Sequence, residues 1–109
     1  GRMIRYHEHY QPAGTNANFV KVAGANTIRV RTYERGVEDE TLACGTGSVA
    51  SALIAARKGL VASPVDVVVH SGERLRIYFD KTDAGFGNVY LEGGTKVVYQ
   101  GSLWEEAYK

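Results

Sequence analysis

Alternating apolar and polar residues recur in short stretches along the chain, a pattern typical of β-strands. The clearest alternation covers residues 27–33, which predicts a strand with one face in the core and the other exposed. Further strands are predicted by similar composition over residues 18–22, 66–70, 74–79 and 89–91, and a glycine pair at 93–94 predicts a hairpin turn into a strand over 96–101. Residues 38–40, all acidic, are predicted to form a loop.

One segment has helical character instead. Residues 48–58 are almost free of charge until the last turn, and small side chains occupy every side of the predicted helix. Such a helix is usually buried on most of its sides. Arg57 and Lys58 suit its C-terminal end, and Gly59 is placed to cap it. Residues 1–109 are therefore expected to form a single α+β domain, with an antiparallel-rich sheet curled around a central helix.

Composition narrows the functional class. Hydrophobic residues make up 44% of the chain and charged residues 23%, which is typical of a globular domain. The formal net charge is +1, with no cluster of one sign, so neither nucleic acid nor a membrane surface is expected as a partner. No apolar run could cross a bilayer and no signal peptide is visible. A single cysteine cannot form an internal disulfide, so we expect a reducing, cytoplasmic location.

That cysteine, Cys44, precedes a Gly-Thr-Gly-Ser turn at the start of the predicted helix. The N-terminus of a helix carries free backbone N–H groups and the positive end of the helix dipole. This environment favours the thiolate form of cysteine and offers a site for an anion. The same residues could therefore hold a carboxylate and present a base to it. The alternative is a buried, chemically inert cysteine.

Other polar residues also have two interpretations. Asn16 and Asn18, close to Gly14, could be turn residues or ligand contacts. Glu34 and Arg35 could form a surface ion pair of small energetic value. His7 and His9 have the spacing of a metal pair, but no third ligand is close in sequence, and we expect no metal site there.

Three segments together resemble the diaminopimelate epimerase family. Residues 34–36 followed by 41–47 resemble the second catalytic segment of that family, and residues 14–20 resemble its substrate-binding asparagine segment. Residues 1–7 resemble the stretch just before it. The order and spacing of the three segments agree with the family.

The resemblance implies a cofactor-independent isomerase that interconverts LL- and meso-diaminopimelate, on the route to lysine and peptidoglycan. Members of the family have two similar halves, each a sheet wrapped on a central helix, and each half supplies one cysteine to the cleft between them. This chain resembles the later part of the second half. Its expected partners are therefore a small amino-acid substrate, the missing N-terminal half and, as a homo-oligomer, further copies. Alone, the chain is expected to be inactive.

The resemblance also implies roles for single residues. Cys44 corresponds to one of the two acid/base thiols, and Asn16 to a residue that hydrogen-bonds the substrate. Glu34 and Arg35 correspond to contacts with polar groups of the substrate, and Glu34 to a group that helps to set the pKa of the thiol. The family's contacts with the α-carboxylate are made by the residues that correspond to Gly45 and Thr46.

Three alternative functions remain open. The chain could be a non-catalytic domain that binds a carboxylate or another anion at residues 45–48, or a related cofactor-independent racemase or isomerase with another substrate. A thiol redox sensor is disfavoured because no resolving cysteine is present. If part of the half-domain is missing, the central helix should be incompletely covered, and the exposed apolar surface and open strand edges should favour self-association.

Overall fold

The computed structural model describes all residues from Gly1 to Lys109. Two helices and six strands follow one another in the order α1 (Arg2–Arg5), β1 (Ala17–Gly24), β2 (Thr27–Glu34), β3 (Asp39–Thr41), α2 (Gly45–Arg57), β4 (Val65–Val68), β5 (Arg74–Thr82) and β6 (Gly85–Glu92). Short 3-10 turns occur at Glu8–Tyr10 and Glu105–Ala107. No helix is both long enough and apolar enough to span a lipid bilayer.

All six strands belong to one sheet that curves around α2. The strand order is β1-β2-β4-β5-β6, and β3 pairs with β2 outside this path. Every pairing is antiparallel except that of β2 with β4, which lie parallel because α2 carries the chain back across the sheet between them. Because α2 contacts β1, β2, β4, β5 and β6, the sheet wraps the helix. The predicted α+β architecture is confirmed.

The core lies between α2 and the concave face of the sheet. On β2, Ile28 and Val30 are buried and their neighbours Arg29 and Arg31 are exposed, as the alternating pattern predicts. Strands β4 and β5 add further buried aliphatic side chains to this face. Alanines of α2 meet them, and their small side chains allow the helix to lie close to the sheet.

Burial of α2 varies around the helix. Gly47, Ser48, Ser51, Ala52, Ala55 and Ala56 are buried, whereas Ala50 is exposed and Ile54 is 59% exposed. The helix is thus covered on most of its sides, as predicted, and the side that carries Ala50 and Ile54 is open, which agrees with the expectation of incomplete cover. Between the uncovered side of α2 and β1 runs a groove of about 410 Å³, lined mainly by apolar side chains: Asn18, Val20, Val22, Ala50, Ser51, Ile54, Ala55, Lys58 and Leu60.

Three local predictions were also wrong. The helix begins at Gly45 and not at residue 48, and the acidic segment predicted as a loop includes strand β3. The last hairpin turns at residues 83–84 instead of at 93–94, and residues 96–101 form no strand. That segment has the composition of a strand but no neighbouring strand to pair with, and Val97 is 94% exposed. The strand prediction failed here because residues with a high strand propensity form a strand only where another strand is available to pair with them.

Candidate functional site

Cys44 caps the N-terminus of α2. Its backbone is extended, and its sulfur accepts a hydrogen bond from the N–H of Gly47 at 3.4 Å. This side-chain contact satisfies one of the N–H groups that a helix start leaves free. The cap extends the helix by one turn relative to the prediction, so that Gly45 and Thr46 belong to it. The hydroxyl of Thr46 lies 3.6 Å from the sulfur.

The first turn of α2 leaves two donors available to a ligand. The N–H groups of Gly45 and Thr46 form no hydrogen bond with another group of the protein. They lie at the positive end of the helix dipole, where a negatively charged group is stabilised. The structure therefore places the sulfur of Cys44 beside two free amide donors that suit a carboxylate.

Two serines secure this turn from within the helix. Ser48 is fully buried, and its hydroxyl donates to the carbonyl of Cys44 at 2.8 Å. Ser51 donates in the same way to the carbonyl of Gly47 at 2.7 Å. Such bonds to the carbonyl four residues earlier satisfy hydroxyl groups that would otherwise be buried without a partner. They keep the turn that carries Cys44 in one conformation.

Asn16 and Arg35 meet directly at the end of the β1–β2 hairpin. The side-chain oxygen of Asn16 accepts the backbone N–H of Arg35 at 2.8 Å. The guanidinium of Arg35 donates to the carbonyl of Ala13, also at 2.8 Å. The amide NH2 of Asn16 forms no hydrogen bond within the protein and can donate to a ligand. Asn16 is thus tied to Arg35, and not simply a turn residue.

Glu34 is the last residue of β2. Thr32 lies opposite Asn18, and Asn18 lies next to Gly47 in the first helical turn. Glu34 lies two residues after Thr32 in β2 and therefore shares its face of the sheet, since strand side chains alternate. Asn16 directly precedes β1 and is tied to Arg35, the residue after Glu34.

Asn18 is a residue whose role the sequence analysis left open, although it predicted a strand over residues 18–22. It belongs to strand β1, and its side-chain oxygen accepts a hydrogen bond from the hydroxyl of Thr32 at 2.7 Å. The interpretation as a turn residue was therefore wrong. The predicted strand is confirmed at Asn18, but its contact with Thr32 joins two strands and leaves no signal in the local sequence.

The loop between Arg35 and Cys44 is held by Glu38. One oxygen of Glu38 accepts the N–H of Gly36 at 2.7 Å and the Nε of Arg5 at 2.9 Å. Gly36 has a φ of +93°, a conformation that favours glycine. The Tyr33 hydroxyl donates to the backbone carbonyl of Glu38 at 2.7 Å. These bonds connect the loop to α1 and to β2.

Glu38 makes the stability of the chain sensitive to acid. The Gly36 amide, and then Arg5, lower the pKa of Glu38 below its ordinary value of 4.5, although partial burial raises it. A depressed carboxyl pKa stabilises the folded state above the unfolded pKa, and this contribution is lost as the pH falls through the folded value. Replacing Glu38 by glutamine should therefore make the free energy of unfolding fall less steeply between neutral pH and about pH 3.

Urea unfolding across that pH range measures this effect. Glu106→Gln, on the exposed C-terminal turn, is the matched control and should follow the unmodified chain. Glu40 and Asp66 also have lowered pKa values, through hydrogen bonds from Arg31 and Arg76. Glu38→Gln should therefore remove only part of the decrease in unfolding free energy at low pH. If the unfolding free energies of Glu38→Gln and the unmodified chain fell equally with decreasing pH, the role given to Glu38 would be contradicted.

Comparison with known proteins places this arrangement in a family. A sequence model described as diaminopimelate epimerase matches residues 2–98, which include every candidate site residue. A diaminopimelate epimerase of Aquifex aeolicus is 52% identical over 107 residues. Those of Hydrogenobaculum and Archaeoglobus fulgidus are 50% and 55% identical over 109 and 102 residues.

The matches cover nearly all of this chain but a minor part of each relative. They span 97% of the chain for the Aquifex protein, 99% for the Hydrogenobaculum protein and 94% for the Archaeoglobus protein. The same matches span 37%, 38% and 34% of the three relatives. The agreement in sequence runs through the hairpin of Asn16 and the helix start at Cys44, and the chain belongs to the diaminopimelate epimerase family.

Proposed function

We propose that this chain supplies one of two acid/base thiols of a cofactor-independent diaminopimelate epimerase. The observation that carries the proposal is the position of Cys44. It caps a helix whose next two N–H groups are free, inside a sequence that matches the family throughout. In this proposal the substrate is an amino acid, and its α-carboxylate binds at Gly45 and Thr46.

The chemistry follows from the acidity of an amino-acid α-carbon. The Cys44 thiolate would take the α-proton and become a thiol, and the electron pair left on carbon would spread into the adjacent carboxylate. The N–H groups of Gly45 and Thr46 would stabilise the negative charge that develops there. A second thiol, on the opposite face, would return a proton to carbon and become a thiolate. In the reverse direction the two thiols exchange roles.

The remaining site residues would orient the substrate. Asn16 has a free amide NH2 to offer, and Glu34 shares the face of β2 that carries Thr32. Arg35 is exposed, and its guanidinium, which donates to the carbonyl of Ala13, is held next to Asn16. We propose that these three contact polar groups of diaminopimelate, and that Glu34 also influences the protonation of the thiol. The second thiol and the opposite wall of the pocket would come from other parts of the enzyme, which we place in the cytoplasm.

A chimera tests the proposed function. The matching segment of the Aquifex aeolicus relative would be replaced by this chain, so that the relative supplies the rest of the enzyme. We expect the chimera to interconvert LL- and meso-diaminopimelate and to exchange the α-hydrogen in heavy water. The isolated chain should do neither. Turnover by the isolated chain at the rate of the chimera would contradict the two-thiol mechanism.

The free N–H groups of Gly45 and Thr46 also favour a second candidate, a domain that binds a carboxylate without moving a proton. The same experiment separates the two candidates. A folded chimera that binds diaminopimelate but exchanges no α-hydrogen would favour the binding domain. Exchange with another amino acid but not with diaminopimelate would favour a related racemase.

We further propose that the isolated chain self-associates through the groove between β1 and α2, with a second copy as the occupant. Strand β1 is an edge of the sheet with one side unpaired, and such edges pair readily with another strand. The residues that line the groove are mainly apolar, and Lys58 is the one charged residue among them. Two copies would therefore bring little like charge together.

Light scattering at increasing protein concentration measures this association. We expect the unmodified chain to form dimers, and Ile54→Lys to shift the equilibrium towards monomers because it places a charge in the groove. Val97→Lys is the control, since Val97 is exposed and lies outside the groove. A monomeric unmodified chain at all concentrations would contradict the proposal.

A further inference from the structure

Asn18 is a polar residue of strand β1 to which the proposed reaction assigns no role. Its side-chain oxygen is held by the hydroxyl of Thr32, which donates at 2.7 Å. Thr32 is only 4% exposed, so this hydroxyl has few other partners available. The amide of Asn18 is therefore fixed in orientation although the residue itself is exposed.

The fixed oxygen lies against the helical turn that carries Cys44. A Cβ atom added to Gly47 would lie 2.5 Å from the Asn18 oxygen and 3.2 Å from the Cys44 sulfur. The first distance is shorter than side-chain carbons tolerate, so the space between amide and helix holds a glycine and nothing larger. Gly47 also supplies the N–H that the sulfur accepts. Asn18 thus contacts Gly47, and Gly47 in turn contacts Cys44.

We propose that Asn18 is a positioning residue for the Cys44 thiol. Its oxygen, held by Thr32, sets how closely the first turn of α2 approaches β1. That distance fixes the Gly47 N–H, and the N–H in turn fixes the sulfur. A neutral amide suits this place, because a carboxylate there would repel the thiolate that proton transfer requires.

The proposal rests on the proposed role of Cys44 for its catalytic meaning, but the thiol can be tested without substrate. Cys44 is the only cysteine, so alkylation by iodoacetamide, followed by mass spectrometry of the intact chain, reports its reactivity. The quantity measured is the pH at which the alkylation rate is half-maximal. A failure of the chimera to turn over diaminopimelate would leave this measurement unaffected, so the two proposals fail separately.

Two variants test the positioning itself. Asn18→Ala removes the amide oxygen that limits how closely α2 approaches β1. Thr32→Val removes the hydroxyl that holds this oxygen, while keeping the shape of the threonine side chain. Both should move the half-maximal pH upward by about half a unit, because a weakened N–H contact favours the thiolate less. Thr27→Val is the matched control at the other end of β2, where the hydroxyl bonds to Ala25. It should leave the alkylation profile unchanged.

A third variant tests whether the side chain of Asn18 lies close to the sulfur of Cys44. Asn18→Asp is nearly isosteric, and its charge beside the sulfur should raise the half-maximal pH by about one unit. Glu34, on the same face of β2, and the neighbouring Arg35 remain constant across all variants. Circular dichroism checks that each variant is folded, and the exposed position of Asn18 makes its variants the least disruptive.

The pattern of shifts decides the outcome. Upward shifts in Asn18→Ala, Thr32→Val and Asn18→Asp, with none in Thr27→Val, support the positioning role. A shift in Asn18→Asp alone would overturn it, because the amide would then be near the thiol without controlling it. Unchanged profiles in all folded variants would overturn it as well, and so would an equal shift in Thr27→Val.

Discussion

Replacing Cys44 by serine should abolish epimerisation in the chimera and leave the fold intact. A serine hydroxyl is a good helix cap, so it can accept the Gly47 N–H that the sulfur accepts in the structure. It is, however, a far weaker base than a thiolate at neutral pH. Positioned acid/base groups contribute about 10²- to 10⁴-fold to a reaction rate, and we expect epimerisation, which needs both thiols, to fall by at least that factor.

Exchange of deuterium into both stereoisomers of diaminopimelate is the measurement. Asp83→Ala, in the exposed turn between β5 and β6, is the control and should exchange at the rate of the unmodified chimera. Cys44→Ala should lose epimerisation as well, and in addition some stability, because it cannot cap the helix. Exchange into both stereoisomers that persists in both cysteine variants would rule out Cys44 as an acid/base group, whereas exchange into one stereoisomer alone is what the second thiol could still perform.

Replacing Ile28 by alanine should destabilise the chain more than a change at any exposed position. Ile28 is fully buried in β2, in the core between the sheet and α2. Truncation of a buried isoleucine to alanine typically costs about 2–5 kcal/mol, through lost burial and the cavity left behind. Unfolding by urea, followed by circular dichroism, would measure the loss.

Ile54→Ala is the matched control, since Ile54 has the same side chain but is 59% exposed on α2. Its effect on the free energy of unfolding should stay within about 0.5 kcal/mol. Both variants are compared at low protein concentration, so that association through the β1–α2 groove does not add to the stability of the control. Equal losses at the two positions would mean that the core described between α2 and the sheet is wrong.

The sequence alone predicted the strands and the helix whose residues follow a clear pattern of apolar, polar or small side chains. The alternation over residues 27–33 identified β2 almost to its ends. A strand with one buried face needs an apolar residue at every second position, and this need produces the alternation. Small residues followed by Arg57 located α2, although they did not show which side of the helix is open. A helix of small residues has the same composition whether one face or all faces are covered, so periodicity alone could not show that Ile54 is exposed.

The errors share a physical origin in contacts that are distant in sequence. Residues 96–101 have strand composition but no partner, and β3 is a strand only because β2 offers it an edge. The helix start was misplaced because the cap depends on where the Cys44 sulfur points. At the site, the local sequence singled out Cys44 and the family resemblance supplied the role of Asn16, whereas Asn18 required the register with Thr32 to acquire a role.

The parallel pairing of β2 with β4 bears on the order in which this site can assemble during folding. The hairpin of β1 and β2, which carries Asn16 and Glu34, depends on contacts between segments that follow one another directly. The turn at Cys44 reaches its place beside Asn18 only when α2 docks on the sheet, and the crossover closes when β4 pairs with β2, which joins residues as distant as Ile28 and Val67. Distant contacts form more slowly than local ones. We therefore expect the substrate-binding hairpin to form early, and the thiol to reach its final geometry late, in step with the closing of the sheet.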